Sequence, residues 1–305
     1  MIAVSTAWNY SPEKSARQIL TEIRETGVDT VELGYRITVS HLEQMIPLLD
    51  ELGMKVCSLH NFCPVPSDAP GSRHVSNYYR LSSLNEEERE LAVNWTKTTI
   101  DNACRVKAGV VVIHAGEVES EDRRSRELME LYQQGQAETD EFRQRRQEMF
   151  DQRRACRGPY LEAVVQSLRE VMAYAEEKNV KIGLETRYYP MEIPNYEEIG
   201  ELLGLFHGQG MHYWHDVGHA EVNSRLGITP QLAYLKKYQN LLIGFHIHGV
   251  ALLRDHLAPF RGDFDLYAVM PYMRGHHCHV IESVYSTSAE DIRQAVRRLP
   301  GKETA

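Results

Sequence analysis

Histidines and carboxylates recur in this sequence where short apolar runs end. His60 follows Cys57-Ser58-Leu59, His114 follows Val110-Val111-Val112-Ile113, and Glu185 follows Ile182-Gly183-Leu184. His215 and Asp216 follow Tyr213-Trp214, His246 and His248 flank Ile247, and Glu282 follows Val280-Ile281. His219 comes soon after Asp216, and Asp255-His256 lie in the segment beyond His248. Imidazole nitrogens and carboxylate oxygens are the donors of zinc, manganese, cobalt and iron sites, and they also serve as general acids and bases. One such histidine alone is usually a hydrogen-bonded core residue, and one such carboxylate can simply pair with an arginine. The set is different. Gathering this many ionisable groups in an apolar setting costs heavy desolvation unless a positive charge offsets it, and a divalent cation does so. Metal binding is the first expectation.

The runs themselves read as strands, alternating with helical segments from one end of the chain to the other, which is the pattern of a parallel α/β sheet. Eight are expected, at 2–5, 30–33, 55–59, 109–114, 181–185, 212–215, 241–247 and 278–282. Eight such units suggest a single closed (β/α)8 barrel over 1–305, with the active site at the carboxyl ends of the strands. Helices are expected at 12–26, with Ser11 as N-cap, and at 288–298. Another, at 160–178, carries Leu161, Val164, Val165, Leu168, Val171, Met172 and Ala175 as one apolar stripe.

Two segments exceed ordinary loop length. Residues 61–85, with Pro64, Pro66, Pro70 and Gly71, read as an irregular loop able to shape a pocket over the third strand. Residues 117–158 form a helical insertion after strand four. Its Arg143, Arg145, Arg146, Arg153, Arg154 and Arg157 suit a solvated hairpin better than an anion-binding or partner surface.

A formal net charge of −9 disfavours a surface built to neutralise nucleic-acid phosphates. No apolar run is long enough to span a bilayer, and no secretory pattern follows Met1, so no membrane association and a cytoplasmic location are expected. The cysteines Cys57, Cys63, Cys104, Cys156 and Cys278 lack CxxC spacing and are expected to be reduced and mostly buried.

Six pieces in order, Ser58-Leu59-His60, Val112-Ile113-His114-Ala115-Gly116, Gly183-Leu184-Glu185, His215-Asp216-Val217-Gly218-His219, Phe245-His246-Ile247-His248 and Val280-Ile281-Glu282, resemble the xylose-isomerase-like barrel superfamily. That superfamily contains sugar isomerases and epimerases, inosose dehydratases and endonuclease IV. The resemblance implies that Glu185, Asp216, His246 and Glu282 bind one metal ion. It matches His219 to a substrate contact or further ligand, and His60 and His114 to additional zinc ligands of endonuclease IV. Asp255 and His256 resemble the family's Asp-x-His pair but are adjacent, so they are not expected to converge on one ion. Phe260 replaces a glycine usual in that segment.

The leading functional expectation is a divalent-metal-dependent (Zn, Mn, Co or Fe) isomerase or epimerase of a sugar or polyol. Glu185 and Glu282 would exchange the proton, with His219 or His248 as the alternative carriers. One ion is expected, two or three being the alternative. Arg187, Arg254, His248 and Trp8 are candidate substrate contacts, and Tyr10, Phe62, Tyr188, Tyr189 and Trp214 are further aromatics for stacking. The competing readings are a multinuclear phosphoesterase of endonuclease IV type and a related dehydratase. The partner is a small molecule, and both a monomer and a homo-oligomer fit the sequence.

Overall fold

The computed structural model describes residues 1–68, 77–119, 123–284 and 286–300. Eight parallel strands close into a barrel: β1 (Ile2–Ser5), β2 (Thr30–Leu33), β3 (Lys55–His60), β4 (Val110–Ile113), β5 (Lys181–Glu185), β6 (Met211–Asp216), β7 (Leu242–Ile247) and β8 (Cys278–Ile281). Closure is through β1, whose Val4 pairs with Val31 of β2 on one side and with Ile281 of β8 on the other. The strands are nearly continuous apolar runs because both of their faces are covered, one by helices and one by the barrel interior. Ala3, Val110, Val112, Trp214 and Val280 fill that interior. Trp214 has room only because β7 carries a glycine, as a Cβ on Gly244 would come within 2.2 Å of the indole.

Outside the strands lie α1 (Ala16–Glu25), α2 (Val39–Glu51), α3 (Glu86–Arg105), α4 (Arg124–Gln133), α5 (Asp140–Glu177), α6 (Tyr196–Leu205), α7 (Val217–Arg225), α8 (Gln231–Tyr238) and α9 (Ala289–Arg298). The first helix starts later than its sequence suggests. Ser15, not Ser11, caps it, because Gln18 returns a bond to the Ser15 backbone and completes a capping box, while the Ser11 hydroxyl is taken by Glu13.

The insertion differs more. The helix expected at 160–178 is only the second half of α5, which runs without a break from Asp140 through Pro159 to Glu177. Both halves are anchored: Phe142, Met149 and Arg153 are buried in the first, and Val164, Leu168, Val171 and Met172 in the second. One lost backbone donor at Pro159 does not outweigh that burial. The first half joins Leu128 of α4 in a satellite core with Val222, Leu226, Val250 and Leu253, so the insertion packs beside the barrel mouth rather than standing in solvent. Among its arginines Arg143 pairs with Asp140, Arg145 with Glu127 and Glu148, and Arg154 with Asp151, all within the insertion, whereas Arg153 and Arg157 pair with carboxylates of α6.

The long loop after β3 falls partly outside the described residues, Pro70 and Gly71 included. Cys57 and Cys63 are buried thiols, whereas Cys104 and Cys156 sit exposed on the outer faces of α3 and α5, so burial of the thiols holds only in part. Among the described residues no helix is long and apolar enough to cross a membrane.

Candidate metal centre and active site

The strand-end residues meet at the carboxyl end of the barrel. Glu185 closes β5, Asp216 closes β6, His246 lies near the end of β7, and Glu282 immediately follows β8. One ligand atom from each lies within 4.8 Å of the others, and all four residues are buried. His246 Nδ1 is 2.8 Å from Glu185 Oε1, 3.1 Å from Glu282 Oε2 and 3.8 Å from Asp216 Oδ2. Asp216 is also the N-cap of α7, accepting from the His219 backbone N–H at 2.7 Å, which aligns its charge with the positive end of that helix.

Three carboxylates around one imidazole nitrogen leave negative charge in excess. Burial opposes ionisation of Glu185, but the charge of His246 and the hydrogen bond from His114 outweigh it and hold the carboxyl well below the usual range. Burial likewise opposes the charge on His246, and Glu282, Glu32 and Glu185 push its pKa well above the usual range. A donor set of three carboxylate oxygens and one imidazole nitrogen, all desolvated, fits a divalent cation.

A second group lies beside the first. Asp216, His219 and His256 also place ligand atoms within 4.8 Å of one another, and Asp255 Oδ2 is 3.1 Å from His256 Nδ1 and 3.5 Å from His219 Nε2. Adjacent Asp255 and His256 contact each other, but of the two only His256 joins a ligand group among the described residues. His256 has φ 55°, a left-handed conformation that turns its ring to the side its neighbour faces, where extended backbone would send the two to opposite sides. Phe260, standing where a glycine is usual, also has positive φ, at 66°. On the far side of Glu185, His114 Nε2 is 2.7 Å and His60 Nε2 3.4 Å from Oε2. Burial and the charge of Arg187 push the His114 pKa down to about 3.

A cleft of about 400 Å³ opens onto these groups, lined by Tyr35, His60, His114, Glu185, Arg187, Glu192, His219, Asp255, His256 and Glu282 among others. Arg187 is buried, paired to Glu192 and 3.6 Å from Glu185, and among the described residues its Nε and Nη1 have no hydrogen-bond partner.

The model of the xylose isomerase-like TIM barrel family matches residues 20–299. The chain belongs to that family. No curated protein matches it by sequence. Its fold is similar to several solved structures. One is a D-tagatose 3-epimerase-like protein, at 18% identity and TM-score 0.67, over 97% of this chain and 95% of that one. Another is the 3-keto-D-glucoside 4-epimerase of E. coli, at 14% identity and TM-score 0.67, over 97% of each chain. A putative xylose isomerase from Rhodospirillum rubrum is 14% identical, with TM-score 0.71 over 98% of this chain and 97% of that one.

Within this family fold, not every residue singled out from the sequence reaches the cleft. Trp8 is buried and donates its indole N–H to the Thr287 carbonyl at 2.8 Å. Arg254 is exposed, on the outer strand Arg254–Leu257. His215 points outward to the Tyr213 hydroxyl, at 2.6 Å, as strand alternation with Asp216 requires. Trp214 lies inside the barrel below the mouth, and Phe62 is buried in the main core. Of the aromatics named, Tyr188 and Tyr189 line the cleft.

His248 sits behind Asp216. Its Nδ1 accepts the His256 backbone N–H at 2.9 Å, so Nε2 carries the proton and donates to Asp216 at 3.1 Å. Gly218 makes room for it, since a Cβ there would fall 2.0 Å from the ring.

The residues that sequence reasoning missed include Glu32, Glu192 and the cleft-lining Tyr35. Glu32 of β2 is wholly buried and its Oε2 is 3.2 Å from His246 Nε2, also accepting from Ser58 Oγ at 2.7 Å. Glu192 binds Arg187. Glu32 had a signal: a carboxylate in the middle of Thr30-Val31-Glu32-Leu33, a strand buried at every position. Glu192 had none, lying in an ordinary loop sequence.

Proposed function

We propose that this chain is a divalent-metal-dependent isomerase or epimerase acting on a sugar or polyol. The observation that carries the reading is the approach of Glu185 and Glu282, from β5 and from the end of β8, to the same nitrogen of His246 at 2.8 and 3.1 Å beside an open cleft. Glu185, Asp216, His246 and Glu282 would hold the ion, which supplies Lewis acidity toward carbonyl and hydroxyl oxygens. Glu185 takes the proton from the carbon beside the carbonyl and Glu282 returns one, a transfer that balances without any oxidant. His114 and Arg187, both on Glu185 Oε2, orient that carboxylate. His219, whose Nδ1 is turned to the Thr186 carbonyl at 2.8 Å, presents Nε2 to the cleft and is the alternative proton carrier. The structural relatives named as sugar epimerases favour the same substrate class.

A second reading, multinuclear phosphoester hydrolysis, draws on His60 and His114 at Glu185 and on the convergence of Asp216, His219 and His256. The acidic net charge weighs against a nucleic-acid substrate.

The separating experiment incubates protein loaded with zinc, manganese or cobalt with a panel of ketoses and aldoses in heavy water. Deuterium should enter the carbon beside the carbonyl. Cleavage of phosphodiesters with no carbon-bound deuterium from any sugar would replace the isomerase by the hydrolase.

A further inference from the structure

Behind the catalytic cleft lies a second cavity of about 490 Å³, between the first half of α5, the loop after β5 and the starts of α6 and α8. Arg187, Tyr189 and Glu192 line both. The Arg187–Glu192 ion pair is thus a ridge with a cavity on either side, and Tyr189, 55% exposed, borders the two. The catalytic cleft alone has the size of a whole small-ligand site, so the cavity across the ridge is room for a second unit of the same ligand.

Its chemistry is specific. The buried guanidinium of Arg153 is consumed by the Glu198 carboxylate, at 2.7 and 2.8 Å, and by the Pro190 and Glu192 carbonyls. Arg157 faces Glu198 and Glu201 at 3.3 and 3.4 Å, and Arg187 faces Glu192. With their charge compensated, these arginines leave no strong attraction for a phosphate or carboxylate. What remains is apolar surface from Tyr189, Pro194 and Ile228 beside polar side chains at an open rim, Arg154 being 75% exposed. Apolar faces edged by hydrogen-bonding groups match a sugar ring, which has C–H faces and hydroxyl edges. The walls are also set in advance, because Arg153 ties the loop after β5 to the insertion.

We propose that this cavity is a subsite for the second, hydroxyl-rich ring of a glycoside, whose reacting ring occupies the catalytic cleft. The proposal rests on the sugar isomerase or epimerase reading and narrows it from free monosaccharides to two-ring saccharides.

The test is calorimetric binding to the metal-loaded protein, with glucose and galactose compared against their disaccharides, n-octyl glucoside and glucose phosphates. Disaccharides should bind at least about tenfold tighter than the parent sugar. Ile228→Trp, which fills the second cavity, should erase that advantage while leaving the affinity for the monosaccharide unchanged. Arg154→Ala, at an exposed position where folding is not at stake, should lower disaccharide affinity a few-fold. Equal affinity for one and two rings, or a preference that survives Ile228→Trp, would overturn the subsite. A gain by octyl glucoside or a glucose phosphate equal to that of the disaccharides would overturn its hydroxyl-rich character. Absence of binding by every saccharide would reject the sugar reading itself, whereas binding of monosaccharides alone rejects only this extension.

Discussion

Buried and half-buried histidines stand at both ends of the barrel and are driven in opposite directions. At the carboxyl end, burial works against charge on His246 and His256, but Glu282, Glu32 and Glu185 around the first and Asp255 and Glu282 around the second push both well above the usual histidine range. At the amino end, burial and neighbouring positive charges act together, and His277 and His279 are pushed down to about 4. His114 shows that position alone does not decide, since it lies at the mouth yet is lowered by burial and by Arg187. Burial makes a histidine neutral; carboxylate company makes it a candidate ligand or acid.

The largest effect should come from disturbing the carboxylates that set the mouth apart. Glu185→Gln and Glu282→Gln keep the shape and an oxygen donor but remove the base, so turnover and deuterium wash-in should each fall by roughly two to four orders of magnitude. His279→Phe at the other end should leave both unchanged. Retention of exchange in either glutamine variant would move the proton transfer to His219.

A buried charge can also be complete in itself. Arg153 and Glu198 are as buried as the mouth residues, but every guanidinium nitrogen of Arg153 has a protein partner, so the pair asks for no cation. Arg153→Met leaves the buried Glu198 with the Asn195 backbone N–H and, among the described residues, the longer contact to Arg157 as the one remaining cation, and unfolding free energy should drop by about 3–5 kcal/mol in urea titrations. Metal content should be retained. Loss of metal together with stability would mean that the insertion and the mouth form one cooperative unit.

How much of this was legible beforehand follows from the same contrast. The barrel was, because its strands are short apolar runs whose ends carry polar residues, and Glu185, Asp216, His246 and Glu282 do meet. The length of α5 was not, since Pro159 and a polar first half hide the contacts of Phe142 and Met149 that hold it. The contact between the adjacent Asp255 and His256 side chains was hidden because sequence carries no φ, and His256 adopts a left-handed turn. Trp8 and Arg254 looked like substrate contacts by residue type, whereas burial against Thr287 and exposure on an outer strand depend on tertiary placement.

The amino end offers a pH test of the comparison. His279 is fully buried, and burial, followed by the N-terminal ammonium and His277, holds its folded pKa at about 4 against an unfolded value of 6.5. A depressed folded pKa means that the native state binds the neutral form. The contribution to stability is complete above pH 6.5 and is lost as pH falls toward 4, amounting to roughly 3 kcal/mol over that window. His279→Phe should flatten the pH dependence of unfolding there, and an unchanged slope would show that the acid sensitivity belongs to other groups.

The smallest effect concerns a residue that touches neither substrate nor ion. Glu32 Oε2 faces His246 Nε2 at 3.2 Å and is itself fixed by Ser58 Oγ at 2.7 Å, while His246 Nδ1 faces the carboxylate cluster. A carboxylate on the remote nitrogen holds the proton there, so the other nitrogen keeps its lone pair free for a metal, and it raises the basicity of that lone pair. Glu32→Gln preserves the volume but replaces the charged acceptor by a neutral amide. Divalent-metal affinity, read by competition with a chelator, should weaken by about 10–100-fold, and nitrogen NMR of His246 should show its Nε2–H tautomer less populated. Glu32→Asp should recover part of the affinity, because the charge returns at a longer reach. Full affinity in the glutamine variant would place Glu32 among the barrel's packing residues, and the histidines at the two ends would then differ only through the ligands that face the cleft.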